Sequence, residues 1–505
     1  MRVKTTNYDA SQGFTQGANV SVALKSGTNA PHGALSWYGG GNGSLIANNY
    51  FNVANGRTKS PSGPYFRRNA AVGGPVYIPG VYNGKNKSFF FFSYEGIHRT
   101  QVLTQSLTVP SVLGRTGDFS DLLALGTEYQ IYDPFSRQVA PNGRVSSLPL
   151  AGNKVPQSRI DPIGLGLMKL WPLPNQTGTA NGTNNFYCNN SGQSNQYWGT
   201  SIRFDHNFTE RHRLYGTYYR STRENQDYNI FMNDVSGGSW LSKPQGGVLD
   251  YVYVVSSSFI ADARLGYDRP NLNIRSLGPA VNNWKYTNWG WPAYMDTLMD
   301  PAIRRMPSIA ASGITGAPPG GNLSWNTVNT FTPSLNLTKT FAAHSMKFGW
   351  EGIIRQRNYF GPGIQASGNF WFGGNYTNGP LDNVPTAPMG QGLAQMLYGL
   401  PSSASINRVP SYAVKSSAHG FYFQEDWRVS PKLTVNLGMR YEYWSGPAER
   451  YNRTVRGFDY ETPLPVEAQI QAAYLLNPTP EVSQLRVRGG MLFAGVGKQP
   501  SSLTA

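Results

Sequence analysis

The side chains that most often do chemistry in proteins are few in this sequence and lie far apart. Six histidines occur at positions 32, 98, 206, 212, 344 and 419, and only His206 and His212 flank a single predicted turn. We interpret that pair as solvent-exposed turn residues rather than metal ligands. Glu425 and Asp426 are adjacent carboxylates, but neighbouring side chains of a strand point to opposite faces, so they do not form an acid/base pair.

The remaining candidates for chemistry are equally sparse. Cys188 is the single cysteine, which allows no intrachain disulfide and no multi-cysteine metal site, and we interpret it as an incidental loop thiol. The densest basic clusters are Arg67-Arg68 and Arg304-Arg305, far from the concentrated stripe that nucleic acids require. The motifs of zinc proteases, phosphate-binding loops, serine hydrolases and EF-hands are missing from the sequence. We therefore predict no enzyme, no catalytic residue, no metal, no cofactor and no nucleic-acid partner, and the sequence assigns no solute-binding residues.

The composition is that of a β-rich protein. Charged residues make up 14% of the 505 residues, against roughly 25% in soluble globular proteins, and the net charge is +16. Aromatic residues reach 13%, and the chain contains 57 Gly and 35 Pro, which argues against a helical protein, a coiled coil or a charge-rich disordered chain. Because apolar runs stay far below the roughly 20 residues that a membrane helix needs, a membrane-spanning protein of this sequence must use strands.

Strands are indicated by apolar residues at every second position. The clearest case is Leu433, Val435, Leu437, Met439, Tyr441 and Tyr443, interleaved with mostly polar residues. This period predicts one apolar and one polar face. We predict about eleven strands, near 32–40, 66–77, 87–99, 196–208, 212–224, 246–256, 258–269, 324–340, 344–357, 417–429 and 432–444.

The connections between these strands alternate in length. Short turns are predicted at 209–211, 256–258, 342–343 and 430–431, with a slightly longer one at 79–87, whereas 41–65, 100–195, 225–245, 270–323, 358–416 and 445–505 are long and polar. If successive strands run in opposite directions, every short turn lies at one rim and every long loop at the other. This segregation is typical of outer-membrane barrels, whose long loops are extracellular. The aromatic pairs Trp37-Tyr38, Tyr197-Trp198 and Tyr443-Trp444 lie where an interfacial girdle is expected.

A helix is predicted within one long loop. The segment 389–400 carries Leu393, Met396 and Leu397 on one helical face, and we interpret it as a loop element that packs on itself.

Several segments resemble the TonB-dependent outer-membrane receptors, in particular the Oar-like group with a carboxypeptidase-regulatory-like N-terminal domain. Segments 3–10 and 17–29 are similar to the end of that family's plug domain, and 32–35 to its first barrel strand. The most specific likeness is Arg67-Arg68-Asn69 through Gly73-Gly74-Pro75-Val76, followed by 87–96. Further similar segments are 158–162, 172–175, 204–208, 397–403, 422–431 and 437–442, so that the resemblance covers essentially the whole chain.

The resemblance implies an all-β fold: an antiparallel transmembrane β-barrel, present here as about half of a 22-stranded barrel, with long extracellular loops. Residues 1–30 would be the C-terminal end of the plug and 31–505 the N-terminal half of the barrel. The chain is then expected to be a fragment, without the signal peptide and TonB-contacting segment of full-length relatives. The full-length protein would reside in the cell outer membrane, contact its lipid, and take up an unknown bulky or scarce solute with a TonB-type energising complex.

Two other functions remain open at this point. One is a soluble or surface-displayed β-protein, such as an adhesive binding module with long polar loops. The other is a structural or secretion-supporting outer-membrane barrel without transport activity. The loop lengths and the low acidic content count against the first, whereas the second shares the predicted fold.

Overall fold

The structure is a computed structural model that describes residues 2–4, 9–14, 19–21, 23–40, 47–56, 58–59, 63–139, 141, 143–227, 229–301, 303–317, 323–361, 367–406, 411–476 and 485–503. Within these ranges, eleven strands form one antiparallel sheet in chain order. They are β1 His32–Gly40, β2 Tyr65–Pro75, β3 Ser88–Leu107, β4 Phe186–Asn207, β5 His212–Gln226, β6 Gln245–Ser256, β7 Phe259–Arg269, β8 Ser324–Phe341, β9 His344–Phe360, β10 Tyr412–Ser430 and β11 Leu433–Trp444.

All eleven predicted strands are confirmed, as is the segregation of their connections. Because each strand pairs antiparallel with the next one, successive connections lie at opposite ends of the sheet. The connections 76–87, 208–211, 257–258, 342–343 and 431–432 lie at one end, and the longer ones 41–64, 108–185, 227–244, 270–323 and 361–411 at the other. The strand order is that of a barrel wall, but the sheet does not close. In the described part of the chain, β1 and β11 are its two edges, and neither pairs with the other.

The main difference from the prediction is strand length at the long-loop end. β3 and β4 contain 20 and 22 residues, which at about 3.3 Å per residue is roughly 65–75 Å. A membrane-spanning strand needs only about 9–11 residues. The strands are therefore much longer than a membrane-spanning strand needs to be, and the predicted ends of β3, at 99, and of β4, at 196, mark only a membrane-length part.

Shorter elements lie in the connections. Short strands extend the sheet at Gly238–Ser242, Asn271–Ser276 and Ala448–Glu449, and others form small separate sheets: Arg2–Lys4, Asn19–Ser21, Tyr77–Ile78, Tyr82–Asn83, Gln138–Val139, Val145–Ser146, Ser308–Ala311, Asn369–Phe372, Ser403–Ser405, Val455–Pro463 and Arg488–Phe493. The last two pair with each other inside the segment predicted as the polar connection 445–505.

The helices are short. The α-helices are α1 Tyr50–Ala54, α2 Ser120–Leu123, α3 Pro162–Leu167, α4 Pro279–Asn282, α5 Tyr294–Leu298, α6 Gln391–Leu397 and α7 Glu467–Leu475, and single 3₁₀ turns occupy Gly114–Thr116, Thr127–Tyr129, Ala151–Asn153, Gln157–Arg159, Met168–Leu170 and Tyr286–Trp289. Across the described ranges, no helix combines the length and the apolar character that crossing a bilayer requires.

The buried hydrophobic core of the chain lies outside the membrane-length sheet. Its residues come from the connections 108–185, 227–244, 270–323 and 361–411, together with the outermost residues of β3 and β4. These connections therefore condense into one folded unit, which we call the loop domain.

Candidate functional site

The two faces of the sheet differ in chemistry because alternate side chains of each strand point to opposite sides. One face carries a continuous row of cross-strand partners from β4 to β11: Asp205, Tyr215, Asp250, Arg264, Ser334, Glu351, Gly420 and Glu442. The opposite face carries apolar side chains at the neighbouring positions, such as Leu249, Leu265 and Met439. In a membrane barrel, the polar face lines the lumen and the apolar face contacts lipid.

Ion pairs and hydrogen bonds connect the lumenal side chains of β4 to β10. Arg203 Nη2 lies 2.7 Å from Asp205 Oδ1, and Arg264 Nε lies 2.5 Å from Asp250 Oδ2, on a carboxylate whose side chain is almost fully buried. Asn336 continues the network, because its Nδ2 donates to Asp262 Oδ1 (2.9 Å) while its Oδ1 accepts from the Tyr422 hydroxyl (2.8 Å). Charges that would be costly in lipid are thus collected and paired on the lumenal face.

Arg440 is the centre of the lumenal network on β9 to β11. Its guanidinium forms ion pairs with Glu351 and with Glu442, whose Oε1 lies 2.6 Å from Nε, and the arginine side chain is only 11% exposed. Five fixed N–H donors allow one arginine to bind several acceptors at once.

Arg440 and Glu442 also hold the N-terminal segment 9–14 against the lumenal face. Arg440 Nη1 donates to the carbonyl of Ala10 (3.3 Å), and Glu442 Oε1 accepts from the backbone N–H of Phe14 (2.8 Å). The Phe14 ring lies 4.9 Å from the Arg440 guanidinium and packs edge-on against Trp444, with ring centroids 5.2 Å apart. These contacts use charged side chains of the wall and mostly backbone groups of the segment.

Residues 24–26 of the N-terminal segment contact the lumenal face of β4. Arg203 Nη1 donates to the carbonyl of Leu24 (3.0 Å), and the Ser26 hydroxyl donates to Asp205 Oδ2 (2.7 Å). Residues 9–14 and 24–26 therefore lie on the lumenal face, against β11 and β4 respectively. The assignment of residues 1–30 to a plug domain stays a prediction.

Towards the long-loop end, the lumenal face carries arginines stacked on tyrosines. The Arg357 guanidinium lies 5.5 Å and 5.6 Å from the ring centroids of Tyr359 and Tyr412, which are stacked 4.9 Å apart. On β5 and β4 of the same face, the Arg223 guanidinium lies 5.6 Å from the centroid of the Tyr197 ring. Exposed guanidinium groups next to aromatic faces suit anionic and aromatic groups of a solute. Sequence reasoning missed these residues, since only the strand register shows that they share a face.

The apolar face agrees with the predicted lipid contact of β11. Leu437 and Met439 are exposed on the side opposite Arg440 and Glu442. The aromatic pairs at the strand ends are divided between the faces: Trp37, Trp198 and Tyr443 point outward, whereas Tyr38, Tyr197 and Trp444 point into the lumen. Each pair therefore contributes one ring, and not two, to an interfacial girdle.

The histidines and carboxylates that the sequence offered as candidates for catalysis or metal binding contact separate partners. His206 hydrogen-bonds the Ser88 hydroxyl (2.6 Å), whereas His212 bonds the Tyr251 hydroxyl (2.5 Å). Glu425 pairs with His344, with 2.5 Å between Oε1 and Nδ1, while Asp426 lies on the opposite face as predicted. In the described part of the chain, no group of three or more His, Cys, Asp or Glu residues has the arrangement of a metal site.

Two other interpretations need correction. Cys188 is not a loop thiol, because it lies fully buried at the outer end of β4, inside the core of the loop domain. The Arg67-Arg68 pair is divided across β2, where Arg67 bonds Glu95 in the lumen and Arg68 points outward beside Trp37. Arg304 and Arg305 do lie together in the loop domain, where Arg304 pairs with Asp296 at 3.3 Å.

The predicted helix in 389–400 is confirmed, but its surroundings differ from the expectation. All residues of α6 are buried, and the helix packs against another loop, not on itself. Gln391 Nε2 donates to the carbonyl of Gln130 (3.0 Å), and the backbone N–H of Asp161 donates to the carbonyl of Leu397 (2.8 Å). Burial in the same unit raises the pKa of Tyr286 to about 12, so this phenol stays neutral.

The up-and-down antiparallel wall with a polar lumenal face and an apolar outer face defines the class of outer-membrane β-barrel proteins. The chain belongs to the outer membrane beta barrel domain family, whose model matches residues 23–505. The protein accordingly resides in the outer membrane and is not an enzyme. A search of curated proteins gave no significant match.

Similar solved structures are outer-membrane transporters and receptors. They include the outer membrane transporter YddB from Escherichia coli (12% identity, TM-score 0.45, covering 89% of this chain and 44% of that one). The ferric enterobactin receptor PfeA from Pseudomonas aeruginosa shares 10% identity (TM-score 0.35, 84% and 42% covered), and the ferric-catecholate import receptor Fiu from E. coli K12 shares 11% (TM-score 0.31, 86% and 58% covered). The chain thus spans about half the length of these structures.

Proposed function

We propose that this chain is part of a TonB-dependent, Oar-like outer-membrane receptor that takes up a bulky or scarce solute. The observation that supports this most directly is the N-terminal segment on the lumenal face, held there by Arg440, Glu442 and Arg203. Polypeptide in the lumen of a barrel hinders free diffusion of a bulky solute, and in this proposal an energised partner moves it aside. In this proposal, residues 1–30 are the end of the plug, 31–505 are the first half of the barrel, and the TonB-type complex acts on the full-length protein.

The solute in this proposal is anionic or aromatic. Arg357 with Tyr359 and Tyr412, and Arg223 with Tyr197, offer paired cationic and aromatic surfaces above the N-terminal segment. An incoming solute meets these side chains before the occluded part of the lumen. Cation–π and charge-assisted contacts of this kind contribute about 0.5–2 kcal/mol each.

Two experiments on the full-length protein test the proposal. Uptake of candidate anionic solutes should stop when the inner-membrane energy source is collapsed, and Arg357→Gln should raise the solute concentration needed for half-maximal uptake. Arg440→Gln should separately make the outer membrane leaky to bulky antibiotics, since it loosens segment 9–14, whereas Lys432→Gln in the turn at the short-loop end should not. Uptake that is indifferent to energisation would contradict the transporter.

A second function is favoured by the loop domain. Connections that fold around a core of their own form a rigid extracellular surface, which suits an adhesive or structural outer-membrane protein without transport activity. In that case, removing the surface residues of the loop domain would abolish cell attachment, and no solute would show energy-dependent uptake.

A further inference from the structure

A groove opens on the lipid-facing side of the wall, between β4 and β7. It has a volume of about 480 Å³ and an almost wholly apolar lining, which includes Ile202, Phe204, Tyr218, Leu249, Leu265 and Tyr267. Its floor is low because Gly216 and Gly247 occupy outward-facing positions where the other strands carry large side chains. In the membrane, such a depression is filled by an acyl chain and not by water.

Cationic and polar side chains lie directly above this groove. Arg220, Gln245 and Arg269 are successive cross-strand partners on the outward face, two residues further towards the long-loop end than Tyr218, Gly247 and Tyr267. Asn329 lies beside Arg269 on the next strand. That offset corresponds to about 7 Å along the strands, and the two arginines are two strands apart, about 10 Å. Asn329 orients this row, because its Oδ1 accepts from Arg269 Nη1 (3.2 Å) and from the Tyr267 hydroxyl (3.1 Å).

The height of the arginines matches the outer membrane–water interface. Arg269 is the last residue of the 11-residue strand β7, which is about the length needed to cross the hydrocarbon. The first outward carboxylate beyond Arg220 on β5 is Glu224, about 13 Å further out and paired with Arg275. The groove therefore faces acyl chains while the two guanidinium groups face the headgroups of the outer leaflet.

We propose that this groove and the Arg220–Arg269 pair form a binding site for lipid A, the phosphorylated and multiply acylated glycolipid of the outer leaflet. One acyl chain occupies the groove, and the two phosphate groups of the same lipid pair with the two arginines. Arginine binds phosphate through two parallel N–H bonds, and the separation of the two guanidinium groups suits two phosphates on one headgroup better than a phospholipid with one. The surface lies on the side of the long loops, where outer-membrane barrels meet the outer leaflet.

The test measures lipid A bound to the full-length protein. The protein is extracted from outer membranes in mild detergent, and the lipid A that it retains is quantified by mass spectrometry. Each arginine near an anionic lipid surface contributes about fivefold, so R220Q/R269Q should lower retention about 25-fold. The charge-matched control R211Q/K432Q removes two cations from turns at the opposite rim and should retain the wild-type amount.

A second variant tests the groove without changing any charge. A Cβ at Gly216 would meet Leu249 Cδ1 at 3.7 Å and Val248 O at 3.9 Å, so Gly216→Leu can fill the groove from its floor. Gly247 is unsuitable, because a Cβ there would lie 2.3 Å from the carbonyl oxygen of Thr217. We expect G216L to lower lipid A retention severalfold while the heat-modifiable mobility of the folded barrel is kept.

Reconstitution identifies the lipid. In nanodiscs, binding of lipid A should be stronger than binding of phosphatidylglycerol and should weaken in R220Q/R269Q. Equal binding of the two lipids would overturn the assignment to lipid A. Unchanged retention in folded R220Q/R269Q or in folded G216L would overturn the site itself.

Discussion

The loop domain and the membrane wall place the same types of apolar side chain in opposite environments. In the loop domain, Phe119 and Met396 are fully buried, whereas in the wall Leu35 and Met439 are 86% and 73% exposed. The loop domain surrounds its apolar residues with polar chain because it lies in water. The wall turns its apolar residues outward and most of its ion pairs inward because it lies in lipid. Whether large apolar side chains are buried or exposed therefore depends on the solvent that surrounds each region.

The two regions also differ in how they satisfy their polar groups. In the wall, the backbone groups pair across strands and the charges pair with one another on the lumenal face. In the loop domain, a few buried polar side chains bind irregular backbone. Asn153, which is fully buried, accepts from the N–H of Ile131 (2.6 Å) and donates to the carbonyls of Phe119 (2.8 Å) and Tyr129 (3.1 Å). Irregular chain can be buried only when such partners are present.

The largest difference in stability between the two regions is expected when a cavity is created in the core of the loop domain. Leu393→Ala on α6 removes a side chain that is 1% exposed and should cost the loop domain about 2–5 kcal/mol. Limited proteolysis should then cut the loop domain faster, while the heat-modifiable mobility of the barrel stays unchanged. Leu148→Ala is the control, because Leu148 is 65% exposed in the same loop domain. Loss of the heat-modifiable form in L393A would show that the two regions fold as one unit.

This comparison also explains what the sequence predicted. All eleven strands could be located because a lipid-facing and lumen-facing wall imposes a period of two at every strand. The loop domain was missed, since its segments contact partners more than 200 positions away, as Gln391 does with Gln130, and no local period reports such contacts. The lumenal contacts of Arg440 were missed for the same reason, because segment 9–14 lies about 430 positions earlier.

A charge on the lipid face gives the next largest effect. Leu437→Arg places a guanidinium among the acyl chains and should cost about 2–4 kcal/mol, depending on depth, whereas Asn436→Arg points into the lumen. The yield of heat-modifiable barrel of the full-length protein should fall for L437R and stay near wild type for N436R. Equal yields would contradict the assignment of Leu437 to lipid and Asn436 to the lumen, and a lower yield for N436R would mean that the two faces are reversed.

A smaller effect is expected from the buried amide of the loop domain. Asn153→Ala leaves the N–H of Ile131 and two carbonyls without their partner, which costs about 1–3 kcal/mol. Hydrogen exchange should accelerate at residues 119–153 and not in the strands. Asn288→Ala, at an exposed position of the same domain, serves as control. Exchange that accelerates equally in both variants would show that Asn153 does not hold this loop together.

The smallest effect concerns the junction at the long-loop end of the wall, where the segment after β11 returns to the tip of β10. Burial alone would raise the pKa of Glu449, but hydrogen bonds from the Arg453 guanidinium and from the N–H groups of Ala413, Arg453 and Tyr451 lower it to about 2. Because the folded pKa lies below the ordinary value, the carboxylate stabilises the junction above about pH 4.5, and this contribution is lost as the pH falls towards about 2. Hydrogen exchange at Ala413 and Tyr451, corrected for the intrinsic rate, should therefore increase across that window. Glu449→Gln should show faster exchange already at neutral pH and little further change on acidification. A wild-type junction whose corrected exchange is flat over the same window would show that charge on Glu449 does not hold the segment to β10.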